Sequence, residues 1–162
     1  MNIVLLEPEI PQNTGNIART CAATGASLHL IKPLGFSIEE KAVKRAGLDY
    51  WELLDLHVHE SYEEFISKYP NRVVFMASTK ADHTYADVEY PQDCFIMFGK
   101  ETAGIPEEIL KDNQEFCVRI PMKPEARSLN LANSVSIVLY EAMRQNNFPK
   151  LLGQGHLTQY SW

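Results

Sequence analysis

The sequence predicts an α/β fold, a mostly parallel sheet covered by helices on both faces. Three observations carry that expectation. Strand-like and helix-like segments alternate along the whole chain, the arrangement that builds parallel sheets. The strongest strands, over residues 72–77 and 94–98, are continuous runs of β-branched, aromatic and other apolar side chains, as strands buried on both faces are. Three loops that follow apolar strands carry Gly, Asn, Ser and Thr, which suits ligand contact at the carboxyl ends of such strands.

Each element has a local reason. Residues 2–6 read as a buried strand, and a helix over 14–24 ends at Gly25, a residue that tolerates the left-handed C′ conformation. Residues 28–31 form the second strand. Ser37-Ile38-Glu39-Glu40 fits a capping box that opens a helix through Arg45. Residues 54–58 alternate as a short strand does, and Ser61-Tyr62-Glu63-Glu64 repeats the capping box before a helix that stops at Pro70. After the strands at 72–77 and 94–98, Pro106 at an N1 position opens a short helix toward Lys111. A strand over 116–120 and a long helix over 129–145 complete the series, with Leu131, Val135, Val138 and Leu139 at helical spacing. Residues 1–150 make one domain; the tail, 151–162, is Gly-containing, partly aromatic and suited to docking on a partner surface.

Composition excludes several classes. Cys21, Cys94 and Cys117 are far apart and form no C-x-x-C pair, so neither a zinc site nor a disulfide framework is expected, and a reduced cytoplasmic setting fits best. No apolar stretch approaches a membrane span, and the opening run has no basic n-region. The net charge is −6, yet it is unevenly distributed. Residues 82–115 hold nine acids and two lysines, whereas residues 119–150 hold five bases and two acids. Lys41, Lys44 and Arg45 form a second basic cluster. Such a chain can present a basic face to phosphates, although solvated helix surfaces produce the same pattern.

The polar signal is concentrated at the start of the last helix. Asn130, Asn133, Ser134 and Ser136 crowd an apolar segment, although Asn and Ser compete with the helix backbone for hydrogen bonds. One N-cap explains one of them; the cluster points to close packing and a hydrogen-bonded ligand. Two other loops stand beside it, residues 7–19 after the first strand and residues 98–106 after the strand at 94–98. There is no G-x-G-x-x-G and no G-x-x-x-x-G-K-[ST], so dinucleotide and P-loop sites are not supported, and no His or carboxylate cluster has metal-ligand spacing. His57 and His59 sit two apart on an alternating stretch, where one is more often exposed than catalytic.

Together the three loops resemble those of the SPOUT methyltransferases, most closely the small tRNA 2′-O-methyltransferases that modify the wobble nucleotide. Asn13-Thr14-Gly15-Asn16-Ile17-Ala18-Arg19 is similar to the family's first motif, and Gly99-Lys100-Glu101-Thr102-Ala103-Gly104 to its second. Ile120-Pro121-Met122 through Ser128-Leu129-Asn130-Leu131-Ala132-Asn133 is similar to its third. The resemblance implies a C-terminal deep trefoil knot, a homodimer, a tRNA substrate, no metal, and S-adenosylmethionine as cofactor. By position it implies that Ala77, Gly99, Ile120, Met122, Ser128 and Leu129 hold the cofactor. It also implies a catalytic set of Arg19, Asn13 and Tyr140, with Arg19 binding phosphate and stabilising alkoxide charge rather than acting as a literal base. Alternatives from other classes are a non-catalytic RNA-binding module and a flavodoxin-like binder. The latter lacks its hydroxyl-rich phosphate loop, since Glu7-Pro8-Glu9-Ile10-Pro11 offers none. A 2′-O-methyltransferase for another tRNA or rRNA site is the runner-up within the enzyme class.

Overall fold

Seven parallel strands in the order β3-β2-β1-β6-β4-β7-β5 form one sheet in the computed structural model, which describes residues 1–38 and 53–162. The chain runs β1 (Asn2–Leu6), α1 (Pro11–Thr24), β2 (Ser27–Ile31), β3 (Leu56–His59), α2 (Tyr62–Lys68), β4 (Val74–Ala77), β5 (His83–Thr84), β6 (Phe95–Phe98), α3 (Glu107–Lys111), β7 (Cys117–Arg119) and α4 (Leu131–Gln145). The helix expected over residues 37–45, with the basic cluster Lys41, Lys44 and Arg45, lies outside the described residues apart from its first two positions.

Strand periodicity sorts the core onto two faces. Ile3 and Leu5 point to one side of β1, where Ile17, Ala18 and Cys21 of α1 meet Val135, Val138 and Leu139 of α4. Val4 and Leu6 point to the other, where Phe65 of α2 and Leu110 of α3 pack with Met76, Phe95 and Met97. Helices therefore cover both faces, as the alternation of segments requires. Burying a Val, Leu, Ile or Phe side chain is worth about 1.5–3 kcal/mol, so each helix is held by its apolar stripe more than by intrinsic propensity.

Helix ends follow local chemistry, with shifts that tertiary contacts explain. Gly25 ends α1 in the left-handed region (φ 71°) with its N–H on the Cys21 carbonyl. Ser61 caps α2 by accepting from the Glu64 N–H at 3.2 Å. The last helix starts at Leu131 rather than residue 129, because the Asn130 side chain takes the Ala132 and Asn133 N–H groups at 2.9 and 3.2 Å and so occupies the N-cap. Helix α1 starts three residues earlier than expected, at Pro11, whose fixed φ and missing N–H suit N1. Pro106 is the N-cap of α3 and not its N1 residue. The strand expected over 116–120 shortens to Cys117–Arg119, since Phe116 closes a 3₁₀ turn over Gln114–Phe116. Strand β5 was not expected; two polar residues carry no periodicity, and the pairing of His83 and Thr84 with β7 creates it.

Candidate active site

Four adjacent strands deliver their carboxyl ends to one rim. Strands β1, β6, β4 and β7 lie side by side and run parallel, so Glu7, Gly99, Ser78 and Ile120 emerge together. Ligands of open α/β sheets bind outside such ends. A cavity of about 600 Å³ opens there, within the size range of small-molecule sites. Its wall brings together Ala77, Gly99, Ile120, Met122, Ser128 and Leu129, six positions from four segments, and Asn13 as well.

Gly99 is required by sterics. A Cβ there would lie 2.0 Å from the Gly104 carbonyl carbon and 2.2 Å from the Ile105 nitrogen, far inside van der Waals contact with backbone that cannot swing aside. Gly104, at φ 71°, turns the chain back and donates its N–H to the Lys100 carbonyl at 2.8 Å. The second loop is thus a closed ring of backbone against the cavity.

The three motif loops are fastened to one another by side chains. The Glu101 carboxylate accepts from the Glu9 N–H at 2.8 Å, the Ile10 N–H at 3.3 Å and the Asn13 amide at 3.0 Å. Helix α1 has no side-chain cap of its own at Ile10, so this carboxylate stands in front of its N-terminus, where negative charge is favoured. The Asn13 carbonyl oxygen in turn accepts from the Asn130 amide at 3.0 Å, while the Asn130 oxygen caps α4. Glu9 returns the contact by accepting from the Thr102 N–H and hydroxyl at 3.1 and 2.8 Å. Lys100 pairs with Glu7 at 2.7 Å, and this contact holds the ammonium pKa above its ordinary value. Both starts of the α1 and α4 helices are therefore set by one polar junction, Glu101–Asn13–Asn130, spanning sequence separations of 88 and 117 residues.

Asn13 is only 7% exposed, and both ends of its carboxamide are engaged, which makes it a bridge between loops. The other two residues of the expected catalytic set lie elsewhere. Arg19 sits six residues further along α1, on the exposed stripe with Asn16 and Ala23, and does not line the cavity. Tyr140, 48% exposed on α4, does not line it either. Asn130 belongs to the polar cluster expected at the start of the last helix, as an N-cap or a ligand contact, whereas Glu101 was given no role. The available signal for Glu101 was an acid two residues after an obligatory glycine.

Among the described residues no group of three His, Cys, Asp or Glu side chains is arranged to hold a metal, and no helix is long and apolar enough to cross a membrane. His29, His57 and His59 form one packed cluster. His59 is fully buried and shares a contact of 3.1 Å with His29, whose ring stacks on His57 at 4.5 Å between centroids. Burial, with the neighbouring rings, pushes the His29 pKa down to about 3, so the pair is neutral.

A sequence model described as the SpoU rRNA methylase family matches residues 1–140. A tRNA (cytidine(34)-2′-O)-methyltransferase of Methylovorus glucosotrophus is 49% identical over 148 residues, 91% of this chain and 96% of its own length. A solved structure described as giving insight into 2-OH methylation of C/U34 on tRNA superposes with a TM-score of 0.86 at 43% identity, covering 90% of this chain and 95% of that one. The SpoU methyltransferase AviRb of Streptomyces viridochromogenes, solved with AdoMet, superposes at 0.82 with 25% identity, over 91% of this chain and 60% of its own. The match spans all three loops of the cavity and the helices that carry them: the chain belongs to the SpoU rRNA methylase family.

Proposed function

We propose that this protein is an S-adenosylmethionine-dependent tRNA 2′-O-methyltransferase that methylates the ribose of the wobble nucleotide, cytidine or uridine 34. The observation that carries the reading is the convergence of the three motif loops on one cavity at the carboxyl ends of four parallel strands. The relatives named for this reaction support the choice of nucleotide.

The cavity suits the cofactor. It is large enough for a nucleoside with an amino-acid arm, and Ala77, Ile120, Met122 and Leu129 offer apolar contact while the Gly99 ring and Ser128 offer backbone and hydroxyl hydrogen bonds. When bound, S-adenosylmethionine supplies a methyl group already activated on sulfur, so the protein's task is to orient the ribose hydroxyl and stabilise the charge that develops on it. Arg19 binds the adjacent phosphate and supplies that stabilisation. Asn13 and Glu101 position α1 and, through it, Arg19. Because Arg19 and Tyr140 are exposed and off the cavity wall, the reading includes a homodimer in which one protomer presents them to the cavity of its partner. Residues 1–150 act as the catalytic unit, a C-terminal deep trefoil knot belongs to the fold, and the enzyme works in the cytoplasm. The three cysteines are free and buried, with the Cys21 thiol pushed up to about 12 by burial, which suits a reducing compartment.

The test separates chemistry from binding. Arg19→Ala is expected to lower methyl transfer to tRNA by roughly a hundredfold or more, the scale of losing one electrostatic stabiliser, with S-adenosylmethionine affinity unchanged. Ser128→Ala is expected to weaken the cofactor by roughly fivefold, about one neutral hydrogen bond. Mixing the two variants restores part of the activity if sites are shared between subunits. Full activity of Arg19→Ala, or equal loss of binding and activity, refutes the assignment.

A further inference from the structure

The chain beyond α4 has no use in the site described above, yet its geometry and chemistry are distinctive. The helix is fastened at its end by Asn146, whose amide donates to the Tyr90 and Ala142 carbonyls at 2.9 Å each. A tight turn follows, in which Asn147, Phe148 and Lys150 all adopt left-handed backbone (φ 58°, 48° and 64°), a conformation that side-chain-bearing residues rarely take. It is held by the Phe148 N–H on the Met143 carbonyl at 2.8 Å and the Leu151 N–H on the Phe148 carbonyl at 3.0 Å. Residues 152–162 follow the turn. They form no helix or strand and every one is exposed, with Leu152 at 91%, Tyr160 at 78% and Trp162 at 94%.

The composition of this segment identifies its partner. The chain has 21 acidic residues, and none occurs after Glu141. The arm itself offers uncharged hydrogen-bonding groups (Gln154, Thr158, Gln159, Ser161), one histidine, and two rings at positions 160 and 162. The arm bends over residues 158–160; drawn out straight on a ligand, it sets residues two apart on the same side, roughly 6.6 Å from one another, a spacing that lets each ring take one unstacked base. Aromatic rings are the stacking platform of single-stranded nucleic acid binding; this arm carries no acidic side chain to repel phosphates, and the nearest cationic side chain is Lys150 at its root. Unpaired loop bases are what proteins read in RNA. Reach is sufficient. The arm is rooted near Met1, Gly25 and Gln92, at the opposite end of the strands from the cavity. Eleven extended residues span roughly 36 Å, more than the roughly 22 Å length of the 15-residue α4 that runs from the cavity to the root.

We infer that residues 152–162 are an RNA arm in which Tyr160 and Trp162 stack on unpaired nucleotides of the substrate. The inference rests on the reading that the substrate is tRNA. Its test uses the full chain, a truncation after Leu151, the pair Tyr160→Ala with Trp162→Ala, and Trp162→Phe, with tRNA transcript as ligand. Truncation and the double variant are expected to raise both the dissociation constant and KM for tRNA roughly tenfold or more, while kcat at saturating tRNA, S-adenosylmethionine affinity and sedimentation stay unchanged. Trp162→Phe, which keeps a π face, retains most of the affinity. An unchanged KM in the truncated protein overturns the inference. So does a shift to a smaller sedimenting species, which would make the arm a contact between copies through Leu152 and Leu157. Failure of the underlying reading is separate, and appears as full-length protein that transfers no methyl group to tRNA.

Discussion

Glu101→Ala isolates the junction that ties the motif loops together. The carboxylate is half-buried and receives three donors, the Glu9 and Ile10 N–H groups and the Asn13 amide. Hydrogen bonds to charged groups contribute about 1.5–3 kcal/mol each when well formed, and charge at a helix N-terminus adds about 0.3–1 kcal/mol. The Ile10 contact, at 3.3 Å, is long, and solvent competes at the exposed side, so the removal is expected to cost about 2–4 kcal/mol in total. Glu101→Gln keeps one acceptor oxygen and the planar shape, and should cost about 1 kcal/mol. The loss is local as well as global, because the Gly99–Gly104 ring is anchored through the same carboxylate. If the loop is correctly placed only a tenth of the time, apparent cofactor affinity falls roughly tenfold. Urea unfolding gives the first quantity and calorimetric titration with S-adenosylmethionine the second. A Glu101→Ala protein within about 0.5 kcal/mol of the parent, the scatter of ordinary surface substitutions, and with unaltered cofactor binding, would show that the junction is not what holds the loops.

Further outcomes follow from other contacts. Gly99→Ala places a methyl 2.0 Å from the Gly104 carbonyl carbon, so the loop must open; cofactor binding is expected to be lost while far-UV circular dichroism stays near that of the parent. The neutral His29 ring has its folded pKa depressed to about 3, below the ordinary value of 6.5, so the unfolded chain binds the extra proton first. Stability present above pH 6.5 is therefore lost as pH falls toward 3, by about 2 kcal/mol between pH 7 and pH 5 from this ring. His29→Leu should flatten the difference in urea stability between those two pH values by that amount, and an unchanged difference would mean the ring is protonated in the fold. Glu141 is held down to about 2 mainly by its paired hydrogen bonds with Arg144, whose side chain is 62% exposed, so Arg144→Ala should shift the melting temperature by no more than a few degrees.

Much of this protein is legible in its residues alone, because the signals are short-range. Gly25, Ser61 and Asn130 end or start helices through contacts within four residues of themselves. The alternation of Ile3 and Leu5 against Val4 and Leu6 already requires two covered faces. The six cavity positions were reached by motif likeness, and strand order then placed them on one wall. What the sequence alone did not determine is everything that depends on which strands become neighbours. Strand β6 enters between β1 and β4, and only that insertion carries Glu101 to the front of α1 and sets Asn13 against Asn130. Strand β5 exists because β7 offers its edge, and Arg19 points to solvent because the helical repeat turns it away from Asn13. Local rules act through a few bonds of chain, whereas these contacts join segments about a hundred residues apart, and only the packing of the sheet brings them together.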